Sequence, residues 1–454
     1  MTDPRFVAVI DIGKTNTKLA LVDLASGAEV AVETTPNRVQ PGPPWPHFDS
    51  EAQWAFLSGA MRRLAATHRI DAISVTTHGA CAAFLTADGR LAAPVMDYEF
   101  TGTDSTRAAY DRLRPSFAET GSPALPRGLN LGAQLHHALI ADPGLADRCA
   151  HVVTWPQYWG FRLTGALACD LSSLGCHTDL WNPGAGAWSS LPAALGLAGK
   201  MAPPRRPDEV LGTLTPTLQA EWGIGPVPVA VGIHDSNASL LPHLRARKAP
   251  FAVVSTGTWV ICMAIGGNPA PLDPARDTLV NVAATGQPVP SARFMGGREH
   301  DLIRAGSIAP GHAEDVAAVL SRGVMLLPAV VPDSGPFAGL THRWMAPPET
   351  EGETAVALDF YLALMAAECL SLIAAEGPAL VEGPFSANPR FLAMLSTATD
   401  REVIPSRART GTALGAALLF SQDAPATAPD EVTRPDPGLR SYAQAWRHAV
   451  AASG

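Results

Sequence analysis

The chain has 454 residues, 47% of them apolar and 17% charged, with a formal net charge of −9. That length exceeds one compact core and calls for two large domains, since a domain holds about 100–200 residues. The acidic balance repels phosphodiester backbones and anionic membranes, which argues against nucleic acid and membrane partners; no run reaches the ~18 uninterrupted apolar residues of a membrane span. Met1–Arg5 runs into a strand without a secretory pattern, and six scattered cysteines with no C-x-x-C pair read as buried thiols of a reducing cytoplasm.

Phe6 to Ile10 is an apolar run of the kind a doubly covered strand needs, Asp11–Gly13 turns, and Lys18 to Leu24 alternates like a returning strand. Ala28 to Thr34 supplies a third strand, and proline-rich Asn37 to His47 an irregular loop. The spacing of Trp54, Leu57, Met61 and Leu64 predicts a helix over Ser50–Thr67 with Ser50 as its N-cap. A strand over Ile70–Val75 follows, and Cys81–Leu85 with Leu91–Val95 around Asp88-Gly89 predicts a hairpin. Short helices and loops fill Thr101 to Gly225, with one helix over Trp155–Leu163.

Val227–Val231 is strand-like and Asp235–Leu244 helical, after which the opening theme restarts. Phe251–Val254, a Ser255–Thr258 turn and Trp259–Ala264 repeat the order strand, Gly/Thr turn, strand, which predicts a duplicated architecture with a cleft. Thr354–Ala375 then reads as a long helix, Ala379–Val381 as a strand, Asn388–Thr397 as a helix, Glu402–Ile404 as a strand and Gly411–Phe420 as a small-residue helix. Gln422–Pro437 has a linker composition, and Tyr442–Ala451 forms a terminal helix. Alternating strands and helices place both halves in the α/β class. The predicted domains are 1–244 and 245–424, followed by a linker and helix over 425–454.

Four stretches carry chemistry. Phosphate transfer needs backbone N–H groups near oxygens, hydroxyls, a cation and a carboxylate for magnesium. The turn Asp11-Ile12-Gly13-Lys14-Thr15-Asn16-Thr17-Lys18 offers all of them through Asp11, Gly13, Thr15, Thr17 and Lys18, although a polar hairpin tip would look the same. Ser255-Thr256-Gly257-Thr258 repeats that make-up at the head of the second half. Asp235, between an apolar strand and a helix, is either an N-cap or a carboxylate set to accept a hydroxyl proton. The turn Glu382-Gly383-Pro384-Phe385-Ser386-Ala387-Asn388 offers bare backbone against which a flat base can stack, or else a plain loop capped by Asn388.

Taken in order, IDIGKTNTKLALVD (10–23), TTHGA (76–80), YWGFRLTG (158–165), GIHDSNAS (232–239), STGTW (255–259), VEGPFSANPRF (381–391) and TALGAALL (412–419) resemble the FGGY family of carbohydrate kinases. They span nearly the whole chain. The resemblance implies an α/β fold of two ribonuclease-H-like (actin-like ATPase) domains flanking a deep interdomain cleft. It also implies ATP and Mg2+ as cofactors, and a dimer would be unsurprising. On this resemblance Asp11 and Asp235 hold magnesium, Gly13, Thr15 and Lys18 line the phosphate site, and Thr256, Gly257 and Thr258 meet the phosphates from the second domain. Gly383 and Asn388 border the adenosine, Gly411 belongs to the nucleotide-facing region, and Asp235 is the general base. His78 and Gly79 resemble the Met-His-Gly turn of xylulokinases, where the histidine touches the sugar, and Asp97 occupies a hydroxyl-binding region.

The chain departs from the family pattern in three places. Glu382 replaces the first of two paired glycines, Asp170–Thr178 replaces a Glu-x-Thr-x-Ala-Ser tract, and Gly296–His300 lacks an apolar Gly-x-Trp segment. The implied reaction is in-line transfer of the ATP γ-phosphoryl group to a sugar hydroxyl, foremost of a ketose of xylulose, rhamnulose or fuculose type. The alternatives are a polyol such as erythritol or glycerol, a non-catalytic sugar and nucleotide sensor, and an actin-like ATPase with a protein client.

Overall fold

A computed structural model describes residues 4–268, 271–406, 411–424 and 431–452. The chain forms two compact units. The first takes Met1–Arg247, Val280–Pro288 and Thr410–Ala426, and the second takes Lys248–Leu279, Val289–Arg409 and Thr427–Gly454.

The first unit is built on a seven-stranded sheet. Strands β1 (Phe6–Ile12), β2 (Asn16–Asp23) and β3 (Ala28–Pro36) form an antiparallel meander. Strand β4 (Ala72–Thr77) lies parallel to β1, and β5 (Val210–Thr213) with β6 (Pro228–Ala230) completes the order β5-β6-β4-β1-β2-β3. A two-residue strand, β7 (Ile233–His234), also runs parallel to β4. Strand β1 is continuously apolar because both of its faces are covered. Ala8, Ile10 and Ile12 join a core with Leu57 and Met61 of α1 (Ser50–Thr67) and with Trp155 and Trp159. Val7 and Val9 face a second core made by Ala238 and Leu241 of α2 (Asp235–Ala246) and Ala413 and Ala416 of the short helix Thr412–Ala417.

Close packing explains the small residues of that last helix. A Cβ at Gly415 would stand 1.6 Å from the Ala238 carbonyl oxygen. The helix Thr412–Ala417, which the sequence groups with 245–424, accordingly packs with the first unit. Two local expectations are corrected. Helix α1 is capped by Asp49, which accepts from Ala52 N at 3.0 Å, and Ser50 is its first residue. Leu91–Val95 forms no strand; Ala82–Leu85 pairs instead with distant His151–Thr154, and Leu91 keeps one bridge to Leu85.

The second unit repeats the plan. Strands β8 (Phe251–Thr256), β9 (Val260–Ile265), β10 (Thr278–Val282, its last three residues counted with the first unit), β11 (Pro288–Phe294), β12 (Ala379–Glu382) and β13 (Val403–Pro405) stand in the order β10-β11-β9-β8-β12-β13. A β8/β9 hairpin with antiparallel β11 on one side and parallel β12 on the other reproduces β1/β2 between β3 and β4. The core helix α4 (Glu351–Leu372) is long and apolar enough to cross a membrane, yet most of its residues are buried inside the protein. It starts at Glu351 behind a Thr350 cap and follows α3 (Gly296–Arg304) in the chain.

Beyond α5 (Pro389–Thr399), the terminal helix α6 (Arg440–Ala451) belongs to this same core. Tyr442 Oη and Trp446 Nε1 are buried and donate to the Val324 and Leu326 carbonyls at 2.7 and 2.8 Å. The terminal helix expected within 425–454 is present and integral to the core of the second unit; residues 425–430 of that stretch, and residues 1–3, lie outside the described residues. All six cysteines are buried, free thiols.

Candidate active site

Register decides which side chains meet. Strands β1 and β7 flank β4 in parallel, with Asp11 and Ile233 both opposite Thr76 and His234 opposite Thr77. Asp11 on β1, His78 after β4 and Asp235 after β7 therefore emerge at the carboxyl ends of three neighbouring strands. Open α/β sheets hold their ligands at these ends.

Asp11 accepts from Thr412 Oγ1 and lies 3.5 Å from Lys18 Nζ, which also meets Glu29 at 3.1 Å. Burial pushes the Asp11 carboxyl above its ordinary range; Thr412 and Lys18 pull it down, and the charge of Asp235 pushes it up again. Lys18 is thus a paired cation of the site floor. The turn above it is pinned by Asn37, a residue assigned to an irregular loop by sequence. Its Nδ2 donates to the Gly13 carbonyl at 2.7 Å, its backbone N to the Thr15 carbonyl at 2.7 Å, and its Oδ1 accepts from Thr17 Oγ1 at 2.6 Å. Thr15 is left exposed at the tip.

The N-cap of α2 is His234, whose Nδ1 accepts from Ser236 N at 3.2 Å. Asp235 is the first helical residue, and its partly exposed carboxylate accepts from Ser236 N at 2.6 Å. The divergent tract Asp170–Thr178 serves as bedding for this junction. His234 N donates to Ser172 Oγ at 3.0 Å, Ser172 Oγ donates to Asp170, and the fully buried Asp170 also accepts from Ser173 N at 2.9 Å. Gly79 closes the other side, since a Cβ there would stand 2.2 Å from His234 Nε2. The residue pair His78-Gly79 is thereby fixed against the residue that precedes Asp235.

His78 is buried, and its Nδ1 faces the Gly79 carbonyl at 3.0 Å while Nε2 has no partner among the described residues. Burial holds its pKa below the ordinary histidine value. Its ring stacks obliquely on Phe48 at 4.9 Å and edge-on to Tyr98 at 5.4 Å. Lys14 Nζ stands over the same two rings, at 5.3 and 4.7 Å, and bridges Asp97 and Glu99, the latter at 3.2 Å. Sequence reasoning named His78, Gly79 and Asp97 and missed Lys14, Tyr98 and Glu99. The one signal was a lysine set between Gly13 and Thr15 at the tip of the turn.

In the second unit the parallel pair β8/β12 sets Ser255 opposite Glu382, so Thr256 and Gly383 both follow strand ends. Thr256 Oγ1 donates to the Glu382 carbonyl at 2.6 Å and accepts from Phe385 N at 3.0 Å, so this hydroxyl is spent on joining the two turns. Gly383 has φ +79°, and a Cβ on it would stand 1.9 Å from the Thr256 carbonyl oxygen. Gly257 and Thr258 are accessible beside the N-terminus of α3, where Gly297 approaches the Gly257 carbonyl. Asn388 caps α5 by accepting from Arg390 N and Phe391 N, and its Nδ2 donates to Asp359 at 2.7 Å. With His300, Arg304 and Arg390 it lines a pocket of about 190 Å³. Gly411 belongs to the first unit, where it precedes Thr412 and lies near Glu29.

Two family descriptions match this chain: "FGGY family of carbohydrate kinases, N-terminal domain" over residues 6–242, and "Carbohydrate kinase FGGY, C-terminal domain" over residues 248–429. The chain belongs to the FGGY family of carbohydrate kinases. The crystal structure of a carbohydrate kinase from Novosphingobium aromaticivorans superposes with a TM-score of 0.93 at 34% identity, covering 99% of both chains. The fold is accordingly the actin-like ATPase fold of FGGY sugar kinases. An L-fuculokinase from Haemophilus influenzae is 32% identical over 133 residues, 29% of this chain. A rhamnulokinase from Pectobacterium atrosepticum is 27% identical over 225 residues, 46% of this chain. The matches span only 28% and 43% of the length of these two curated relatives.

The donor set also fits the family's metal. Magnesium in phosphoryl transfer is held by one or two carboxylates together with waters and phosphates, without an all-protein cage. Asp235 is a carboxylate close enough to Asp11 for its charge to raise the Asp11 pKa, and no cluster of three or more His, Cys, Asp or Glu ligands exists among the described residues.

Proposed function

We propose that this protein transfers the γ-phosphoryl group of ATP to a hydroxyl of a neutral sugar, foremost a ketose. The observation that carries this reading is the emergence of Asp11, His78 and Asp235 from three adjacent parallel strand ends. In this mechanism Asp235 accepts the hydroxyl proton as the sugar oxygen attacks, a contribution of about 10²–10⁴ in rate. His78 offers its unpartnered Nε2, and Asp97 a carboxylate oxygen, to sugar hydroxyls. The Asn37-pinned turn with Gly13 and Thr15 is assigned to phosphate oxygens, as are Gly257 and Thr258. Thr256 shapes the second turn through its own hydrogen bonds, and Gly383 and Asn388 border the adenosine. Asp11, with Asp235, would hold Mg2+, which when bound neutralises charge on the phosphate oxygens. Gly411, which precedes the Asp11 partner Thr412, is assigned to the nucleotide-facing region. Six buried free thiols support a reducing, cytoplasmic setting.

The fuculokinase and rhamnulokinase relatives support a deoxyketohexose as first choice, with xylulose next and polyols behind. The test is sugar-dependent ADP release across ketoses, erythritol and glycerol. Release stimulated by one of them supports the kinase reading. ATP hydrolysis indifferent to every sugar, or sugar binding without turnover, would replace it with the ATPase or the sensor.

A further inference from the structure

We infer that Lys14 is a specificity-determining residue of the sugar subsite, one that arranges Asp97 and Glu99 to receive the hydroxyls of a neutral sugar and leaves the subsite hostile to sugar carboxylates. The inference deepens the kinase reading and rests on it. Lys14 stands between Gly13 and Thr15 at the tip of the turn, and its chain reaches across 83 residues of sequence to Asp97. The side chain is about one-fifth exposed, and its ammonium contacts both carboxylates and stands over Tyr98 and Phe48, so it is held in place by its surroundings.

What that placement leaves open is informative. Both hydrogen bonds accepted by Asp97, from Lys14 Nζ and from Glu99 N at 3.1 Å, end on Oδ1. Oδ2 therefore remains to accept from a ligand hydroxyl. His78 Nε2, buried and unpartnered, adds a second acceptor against the same aromatic rings. Acceptors facing a ligand select hydroxyl donors, and the ring faces suit the C–H side of a sugar.

Charge points the same way. One lysine against two carboxylates leaves one carboxylate of the cluster unbalanced, and burial disfavours a positive charge on the His78 imidazole beside it. A sugar acid brought here would meet like charge at short range. A ketose would not.

The test compares wild-type protein with Lys14→Met, Lys14→Arg and Glu99→Gln. The probes are the neutral ketose that the wild type phosphorylates best and the aldonate with the same number of carbons. Calorimetry reads sugar binding to the nucleotide-free chain, and ADP release reads turnover. Loss of a charge-assisted contact costs about 10- to 100-fold. Lys14→Met should raise both Kd and KM for the ketose by that factor with a smaller change in kcat, and Lys14→Arg should recover most of the loss. Glu99→Gln should raise kcat/KM for the aldonate relative to the ketose. Unchanged ketose Kd and KM in Lys14→Met overturn the inference, as does a wild type that prefers the aldonate. Should Lys14→Met fail to fold, an unaltered ketose-to-aldonate ratio in Glu99→Gln overturns it equally. Wild-type turnover with indifferent variants sinks this inference alone, whereas a wild type inert toward every sugar sinks the kinase reading with it.

Discussion

Substituting Gly79 by alanine puts the strand-end arrangement under direct strain. The added Cβ would stand 2.2 Å from Nε2 and 2.6 Å from Cδ2 of His234, where ordinary contacts start at 3.4 Å. The imidazole must therefore retreat by about 1.2 Å. It has little room to do so, because it is buried and its backbone N is tied to Ser172 Oγ. Overpacking of this kind costs about 1–3 kcal/mol of stability. The displaced residue immediately precedes Asp235, and a misplacement of about 1 Å at a reacting group lowers the rate by roughly 10². Steady-state kinetics of sugar phosphorylation, with thermal unfolding measured in parallel, should show kcat down by roughly that factor and a folded protein with a lowered Tm. A Gly79→Ala variant with wild-type kcat would refute the argument that Gly79 holds His234, and through it Asp235, in place.

Three further outcomes follow from the structure. Burial pushes the Glu299 carboxyl up to about 7, against the opposing pull of Val331 N and Tyr361 Oη. Because the folded state binds this proton more tightly than the unfolded chain, Glu299 stabilises the fold fully below pH 4.5, and that contribution fades as the pH rises to about 7. The loss is about 3 kcal/mol. Glu299→Gln should remove this component, so the difference in unfolding free energy between wild type and variant should change across about pH 5 to 8; a constant difference would contradict the assignment. Asp179 is fully buried and accepts from Tyr110 Oη at 2.6 Å and from Arg114 at 2.8 and 2.9 Å. Arg114→Met should destabilise by about 3–5 kcal/mol in chemical denaturation, because it strands a buried carboxylate. Gly383→Ala adds a Cβ 1.9 Å from the Thr256 carbonyl at a left-handed φ, and should weaken ATP binding, measured by calorimetry, more than sugar binding.

The two hairpins and the duplicated plan were legible because each hairpin is local. An apolar run, a Gly/Thr turn and a returning strand specify their geometry within a short stretch of chain, and Asp235 follows an apolar strand directly. What stayed hidden depends on contacts between distant parts of the chain. Nothing near Lys14 signals that its ammonium ends on Asp97, and Asn37 looked like loop because its bonds reach back to Gly13, Thr15 and Thr17. The tract Asp170–Thr178 read as a departure from the family, and folding turned it into support for His234. The helix Thr412–Ala417 was assigned by its place in the sequence, whereas its small residues match α2 of the first unit. Leu91–Val95 failed as a strand because Ala82–Leu85 found a longer partner in His151–Thr154.

The proposed phosphoryl transfer depends on one carboxylate, and Asp235→Asn tests it with almost no change in shape. Sugar-dependent ADP release should fall by about 10²–10⁴, while calorimetry still detects ATP and sugar binding. Equal rates of sugar turnover in the wild type and the Asp235→Asn variant would contradict it.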